Sequence, residues 1–215
     1  MTGGSRPADA GVTLIETVVA MTVMTVFMTI FTSGIVQMFR VADRGDAVFA
    51  VQAQVSIAFL HVDREVRYAV GITDPGQVTN GNYQDTYVEY VSVETGGVRC
   101  TELRLRVPAG PSGPPDQRGV LQRRSWYTAA GPGSAPWTTL ATDVAGAVPF
   151  THGGIDHTSN FQRLTLSLTA YPNPTGTAGA RTTTVTFTAL NSRLDLTATP
   201  DPRTDPALCL AGRSG

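Results

Sequence analysis

The chain contains no lysine: all sixteen of its basic residues are arginine. We read this as genomic composition bias and attach no function to it. Cysteine is scarce. Cys100 and Cys209 are the only two, and neither belongs to a CxxC pair, which argues against a zinc ribbon or a thioredoxin-type redox motif. Histidine is limited to His61, His152 and His157. The segment His152-Gly153-Gly154-Ile155-Asp156-His157 fits no common zinc spacing and reads as a turn. No GxSxG elbow, HExxH pair, phosphate-binding loop or dinucleotide fingerprint occurs. No catalytic residue, cofactor or metal is therefore expected, and the chain is not read as an enzyme. The net charge of −1 gives no bulk attraction to nucleic acid or anionic lipid.

Charge is also absent from one long stretch. Thr17 to Phe39 carries none, and from Val12 to Phe39 the single formal charge is Glu16. As one helix, Val12–Phe39 would reach roughly 42 Å at 1.5 Å per residue, more than the ~30 Å hydrocarbon core of a bilayer. A secretory signal peptide has an apolar region of only about 7–15 residues followed by a small-residue cleavage site. This run is longer, and no such site follows it. It reads as a membrane helix. Arg6 lies before the span and Arg40 and Arg44 after it, so loop charge does not set its orientation. A lone carboxylate at mid-bilayer costs about 2.5–3.5 kcal/mol, so Glu16 calls for a use.

The hexad Gly11-Val12-Thr13-Leu14-Ile15-Glu16, behind the short polar leader Met1–Gly11, resembles the processing site of type IV prepilins and type II secretion pseudopilins. An ordinary signal anchor explains the apolar run but neither Gly11 nor Glu16. The resemblance implies cleavage between Gly11 and Val12 by prepilin peptidase on the cytoplasmic side, then N-methylation of Val12. The family usually has Phe at that first mature position. Glu16 becomes the fifth mature residue, which in the family neutralises the terminal amine of a neighbouring subunit. Carboxylate and ammonium attract strongly in low dielectric, whereas either alone is costly.

Beyond Arg40 the helical period continues. Val48, Val51, Val55, Phe59, Val62, Val66 and Ala69 recur at spacings of three and four, with polar residues between them. This amphipathic stripe is expected to seat on the sheet of the C-terminal region. Asp63, Arg64, Glu65 and Arg67 read as a solvated or salt-bridged face. Gly34 and Gly45 are weak points of the helix. Gly71–Gly81 reads as a loop with turns at Asp74-Pro75-Gly76 and Asn80-Gly81. Alternating β-forming runs follow: Thr86–Val93 and Val98–Val107 as a hairpin around Thr95-Gly96-Gly97, then Val120–Thr128, Trp137–Leu140, Val144–Phe150, Gln162–Tyr171 and Thr182–Leu190. A Pro/Gly/Thr loop at Pro172–Ala180 joins the last two.

The expected fold is α+β: a long N-terminal helix packed on a C-terminal antiparallel sheet, as in pilins. The divisions are residues 1–11 (leader), 12–39 (transmembrane and filament-core helix), 40–70 (its amphipathic continuation) and 71–215 (β-rich head with a polar tail). Within the family the chain looks most similar to the minor pseudopilin J-type and W-type pilin subgroup. The features are Asp63-Arg64-Glu65-Val66-Arg67, the Leu121–Arg124 strand and Leu140-Ala141-Thr142-Asp143-Val144. The implied function is a minor type IV pilin or pseudopilin that enters, or primes, a type IV pilus or type II secretion-like filament. Its implied partners are prepilin peptidase, other pilins through the N-terminal helix, an assembly-platform membrane protein and, before assembly, the lipid bilayer. The head would lie outside the cytoplasm, where a Cys100–Cys209 disulfide is permitted and would tie the polar tail to the second strand. The alternative is a tip adhesin or DNA-uptake subunit of the same filament class. DNA contact would then fall on Arg123, Arg124, Trp126 and Tyr127, whose commoner explanation is an exposed strand face with packed aromatics. An anchored enzyme with a cryptic site has no constellation to support it.

Overall fold

A computed structural model of the chain describes residues 13–110, 118–155, 159–172, 176–177, 179–192 and Cys209. Among the described residues one α-helix, α1 (Leu14–Val66), is followed by nine strands. The chain divides into two compact units, residues 1–46 and 47–215, so α1 contributes to both.

In the first unit the helix is apolar on all sides, and every large hydrophobic from Leu14 to Phe39 is solvent-exposed in the isolated chain. It is long enough and apolar enough to cross a membrane.

In the second unit α1 is amphipathic. Val55, Ala58, Phe59, Val62 and Val66 are buried and Val51 partly so, as the stripe predicts, with Ala58 added. The helix closes by tightening. Tyr68 N–H donates to the Glu65 carbonyl (3.2 Å) and Ala69 N–H to that of Val66 (2.9 Å). Val70 N–H then donates to the Val91 carbonyl at 2.8 Å and hands the chain to the sheet.

The strands are β1 (Gly71–Ile72), β2 (Gly76–Asn80), β3 (Tyr83–Glu94), β4 (Gly97–Pro108), β5 (Gly119–Tyr127), β6 (Thr138–Ala145), β7 (Phe150–Gly153), β8 (Gln162–Ala170) and β9 (Arg181–Ala189). They form one sheet in the order β1-β3-β4-β5-β6-β8-β7, with β2 also on β3 and β9 also on β8. Every pairing is antiparallel. The sequence accounts for β8 directly. Leu164, Leu166 and Leu168 face the core, while Thr165, Ser167 and Thr169 face outward and bond the hydroxyls of Thr186, Thr184 and Thr182 at 2.9, 2.8 and 2.7 Å. The core joins the helix stripe to Val88, Tyr90, Leu103, Leu105, Leu121 and Phe187, with the Phe59 and Phe187 rings edge-to-face at 6.1 Å.

Three expectations are corrected. Gly71–Gly81 is not a loop but contains β1 and β2. The Asn80-Gly81 signal does mark a hairpin turn, with Gly81 at φ +58°, but β2 is a largely exposed edge strand with a single apolar residue, Val78, and shows no hydrophobic alternation. Trp137–Leu140 and Val144–Phe150 are not two strands of that form. β6 runs unbroken from Thr138 to Ala145, and the chain then bends at Gly146 before β7 begins at Phe150. A Cβ on Gly146 would lie 2.8 Å from the Ser167 carbonyl oxygen, so the bend brings backbone against backbone. Last, His152 and Gly153 lie in β7, opposite Leu164 and Arg163, and are not a turn. His157 lies outside the described residues.

Candidate functional site

Gly11 and Val12, the expected cleavage and methylation positions, lie outside the described residues, just before Thr13 in the chain. Thr13 is the first residue described. Its carbonyl accepts the N–H of Glu16 (3.0 Å) and of Thr17 (3.3 Å) and so starts the helix. Glu16 stands exposed in the first turn, where a carboxylate complements the positive end of the helix dipole. It has no ion pair among the described residues and is available to a group from another molecule.

Five hydroxyls of this segment bond back to carbonyls of the helix. Thr17 donates to the Leu14 carbonyl (2.9 Å), Thr22 to Val18 (2.5 Å), Thr25 to Met21 (2.7 Å), Thr29 to Thr25 (2.8 Å) and Ser33 to Ile30 (2.8 Å). In hydrocarbon an unsatisfied donor costs several kcal/mol, so this back-bonding lets a Thr-rich helix enter a bilayer. Glu16 is the one charged side chain between Leu14 and Phe39.

The second unit holds a half-buried ion cluster that ties helix to sheet. Glu65, on the last turn of α1, receives Arg123 of β5 through Nε at 2.7 Å and through a second guanidinium nitrogen. The Tyr90 hydroxyl of β3 donates to Glu65 Oε2 at 2.5 Å, and His61 Nε2 lies 3.4 Å from Oε1. Burial, and next the Glu65 charge, push the Tyr90 phenol well above its ordinary value, so it remains a neutral donor. Burial alone would lower the Arg123 guanidinium, but the Glu65 hydrogen bond and charge outweigh it and raise it. Of the four charged residues read as a solvated or paired face, Asp63 and Arg67 pair with each other at 2.6 Å and Arg64 is exposed, while Glu65 belongs to this half-buried cluster.

Arg123 and Arg124 do not share a face, because successive side chains on a strand point to opposite sides. Arg124 bonds Glu102 through Nε at 2.7 Å and lies over Trp126 and Trp137, with its guanidinium carbon 5.3 and 4.5 Å from the ring centres. Trp126 is buried beside Val91 and the Cys100–Cys209 disulfide. The four residues proposed for DNA contact are thus divided between the two faces of the sheet, and both arginines are in internal ion pairs.

Sequence reading missed the rest of this second face. Arg104 stacks 3.4 Å above the Trp137 ring centre and donates to Gln122 Oε1 at 2.9 and 2.7 Å. Asp85 receives Arg106 at 2.8 and 2.7 Å. Burial, then the neighbouring Arg106, lower the Arg104 guanidinium to about 10. The available signal was the alternation Glu102-Leu103-Arg104-Leu105-Arg106, which sets one leucine face against one charged face. Elsewhere, His152 Nδ1 lies 2.8 Å from Asp74 Oδ1 and joins β7 to the turn after β1. Among the described residues no three His, Cys, Asp or Glu side chains gather as metal ligands.

The family model of the prokaryotic N-terminal methylation motif matches residues 6–32. The matched segment includes Gly11, Val12 and Glu16 and supports a prepilin-type N-terminal segment. It supports processing by prepilin peptidase, membrane anchoring and pilin-type assembly. No curated protein and no solved structure matches the chain.

Proposed function

We propose that this chain is a minor type IV pilin or pseudopilin of the J-type or W-type subgroup, incorporated into a type IV pilus or type II secretion-like filament or priming its assembly. One observation carries the reading: the methylation motif at 6–32 runs into a helix whose only charge before Arg40 is Glu16. The chain is inserted once in the cytoplasmic membrane with its head outside the cytoplasm. It is cleaved after Gly11 and methylated on Val12. Residues 1–11 are then the leader, 12–39 the membrane and filament-core helix, 40–70 its amphipathic continuation and 71–215 the head. The Cys100–Cys209 bridge agrees with an extracytoplasmic, oxidising location.

Two features support an assembly role. Glu16 has no ion pair among the described residues and suits the terminal amine of a neighbouring subunit. Phe49, Ile57 and Leu60 on α1, with Tyr68 just beyond it, are 70, 67, 71 and 62 % exposed, although the other side of this helix is buried on the sheet. Large apolar side chains spaced along one exposed helix face mark a contact surface. The DNA-binding alternative is not favoured, because Arg123 and Arg124 already neutralise Glu65 and Glu102.

The test is Glu16→Ala in the full-length chain, expressed with its partner pilins. Membrane insertion should be unchanged and recovery of partner pilins should fall about tenfold, as expected when one member of a low-dielectric pair is removed. Recovery equal to the parent would contradict the assembly role of Glu16.

A further inference from the structure

Four strands of the sheet have a strand neighbour on one side only: β1, β2, β7 and β9. The first three are short, with two, five and four residues. β9 has nine and pairs with β8 along its whole length without a register shift. Its other edge makes no backbone hydrogen bond among the described residues except Leu190 N–H to the Arg67 carbonyl, just past the strand end.

Natural edge strands are guarded by brevity, charged side chains, proline, a bulge or a covering element. β9, Arg-Thr-Thr-Thr-Val-Thr-Phe-Thr-Ala, has no proline or bulge and carries a single charge, Arg181 at its first position. Residues 181–184 and 186 are exposed. The threonines and the valine favour extended backbone, and the hydroxyl bonds from Thr182, Thr184 and Thr186 to β8 hold the strand against its neighbour. Arg181, at the head of the strand, is exposed and forms no ion pair among the described residues.

We propose that the outer edge of β9 accepts an extended segment of a partner polypeptide as an added antiparallel strand, with a carboxylate near the segment's C-terminus facing Arg181. Main-chain hydrogen bonds supply affinity in this mode and side chains supply register. A second copy pairing β9 with β9 fits less well. Centred on Val185, it would set Arg181 opposite Ala189 and leave the guanidinium without an anion. It would also oppose the helices. Within residues 47–215 the helix runs in the direction of β9: a Cβ on Gly179 would lie 3.5 Å from Val48 Cγ2, while the Arg67 carbonyl accepts Leu190 N–H at 3.1 Å. An antiparallel pair would point the two helices opposite ways, and copies anchored in one membrane face the same way. This last argument alone rests on the anchored reading; the strand edge and Arg181 do not.

The experiment uses the full-length chain in detergent micelles and a fluorescein-labelled probe peptide, Thr-Val-Thr-Val-Thr-Val-Glu, followed by anisotropy. The same peptide N-methylated at alternate residues is the control, since it keeps its side chains but cannot complete a strand ladder. The proposal predicts saturable binding, at least tenfold weaker binding of the N-methylated peptide, and about tenfold weaker binding to Arg181→Glu. A probe ending in Lys should recover on Arg181→Glu. A melting curve of each variant matching the parent keeps the fold constant. Equal binding of both peptides, or no saturable binding by the folded protein, would overturn the proposal. So would self-association that Thr186→Lys abolishes in a protein that binds no peptide, which would assign the edge to a second copy.

Discussion

The two stretches of α1 carry similar apolar content and use it differently. Between Leu14 and Phe39, valines, methionines and phenylalanines point in all directions and none is buried within the chain. Between Val55 and Val66, apolar residues recur on one side and are buried on the sheet of the same unit. A helix that is apolar all round requires an apolar surrounding that its own unit does not supply; one with a stripe and a facing sheet does not. The first stretch is therefore built for lipid or for other copies of the same kind of helix, and the second for its own head. The one polar departure in each stretch follows the same logic. Among the described residues Glu16 has no ion-pair partner, whereas Glu65 is met by Arg123, Tyr90 and His61.

This contrast can be broken from the head outward. Removing the disulfide with Cys100→Ser and Cys209→Ser should have the largest effect on the head. It opens a closure across 109 residues, worth about 4–5 kcal/mol in the chain-entropy model. Urea unfolding followed by fluorescence of the buried Trp126 would measure it, while helicity of the N-terminal stretch in detergent should be unchanged. Next, Leu166→Ala should cost about 3 kcal/mol, because this side chain is fully buried in the core. Phe27→Ala, an equally apolar change in the first stretch, should move the same transition by less than about 0.5 kcal/mol. Equal costs would end the distinction between the two stretches.

Arg123→Leu should cost about 2 kcal/mol, since Glu65 would lose its cation while partly buried; the pair is not fully desolvated, which reduces the figure from that of a deep ion pair. The double variant Glu65→Leu with Arg123→Leu should be more stable than Arg123→Leu alone, and a double-mutant cycle would show it. The smallest effect on stability is expected from Ile57→Ser with Leu60→Ser, within about 0.5 kcal/mol, because both side chains are exposed in the single chain. Their effect should appear in co-purification of partner pilins. Unchanged recovery would remove that helix face from the assembly surface.

Much of the architecture was readable because period and burial coincide. The three- and four-residue spacing from Val48 to Ala69 gave the packed helix face, and the alternation in Gln162–Tyr171 gave β8. β2 was hidden because an exposed edge strand shows no hydrophobic alternation. The continuity of β6 from Thr138 to Ala145 was hidden because Thr139, Thr142 and Asp143 interrupt the pattern, and β6 pairs with β5 through register shifts. The candidate site divides the same way. The Gly11-to-Glu16 spacing is local and is visible in a string of letters. The Glu65–Arg123–Tyr90 cluster draws on three elements separated by up to 58 residues, and no spacing rule connects them. Arg123 and Arg124 show the converse, since neighbours in the chain are separated by the pleat.

The central claim is that the N-terminal stretch is a processed filament-type segment, and the mature N-terminus tests it most directly. The full-length chain would be expressed in membranes that contain an active prepilin peptidase, and its N-terminal peptide identified by mass spectrometry. The account predicts a chain that begins at N-methylated Val12. A chain still beginning at Met1, beside a control prepilin that is cleaved in the same membranes, would contradict it and leave an ordinary signal anchor.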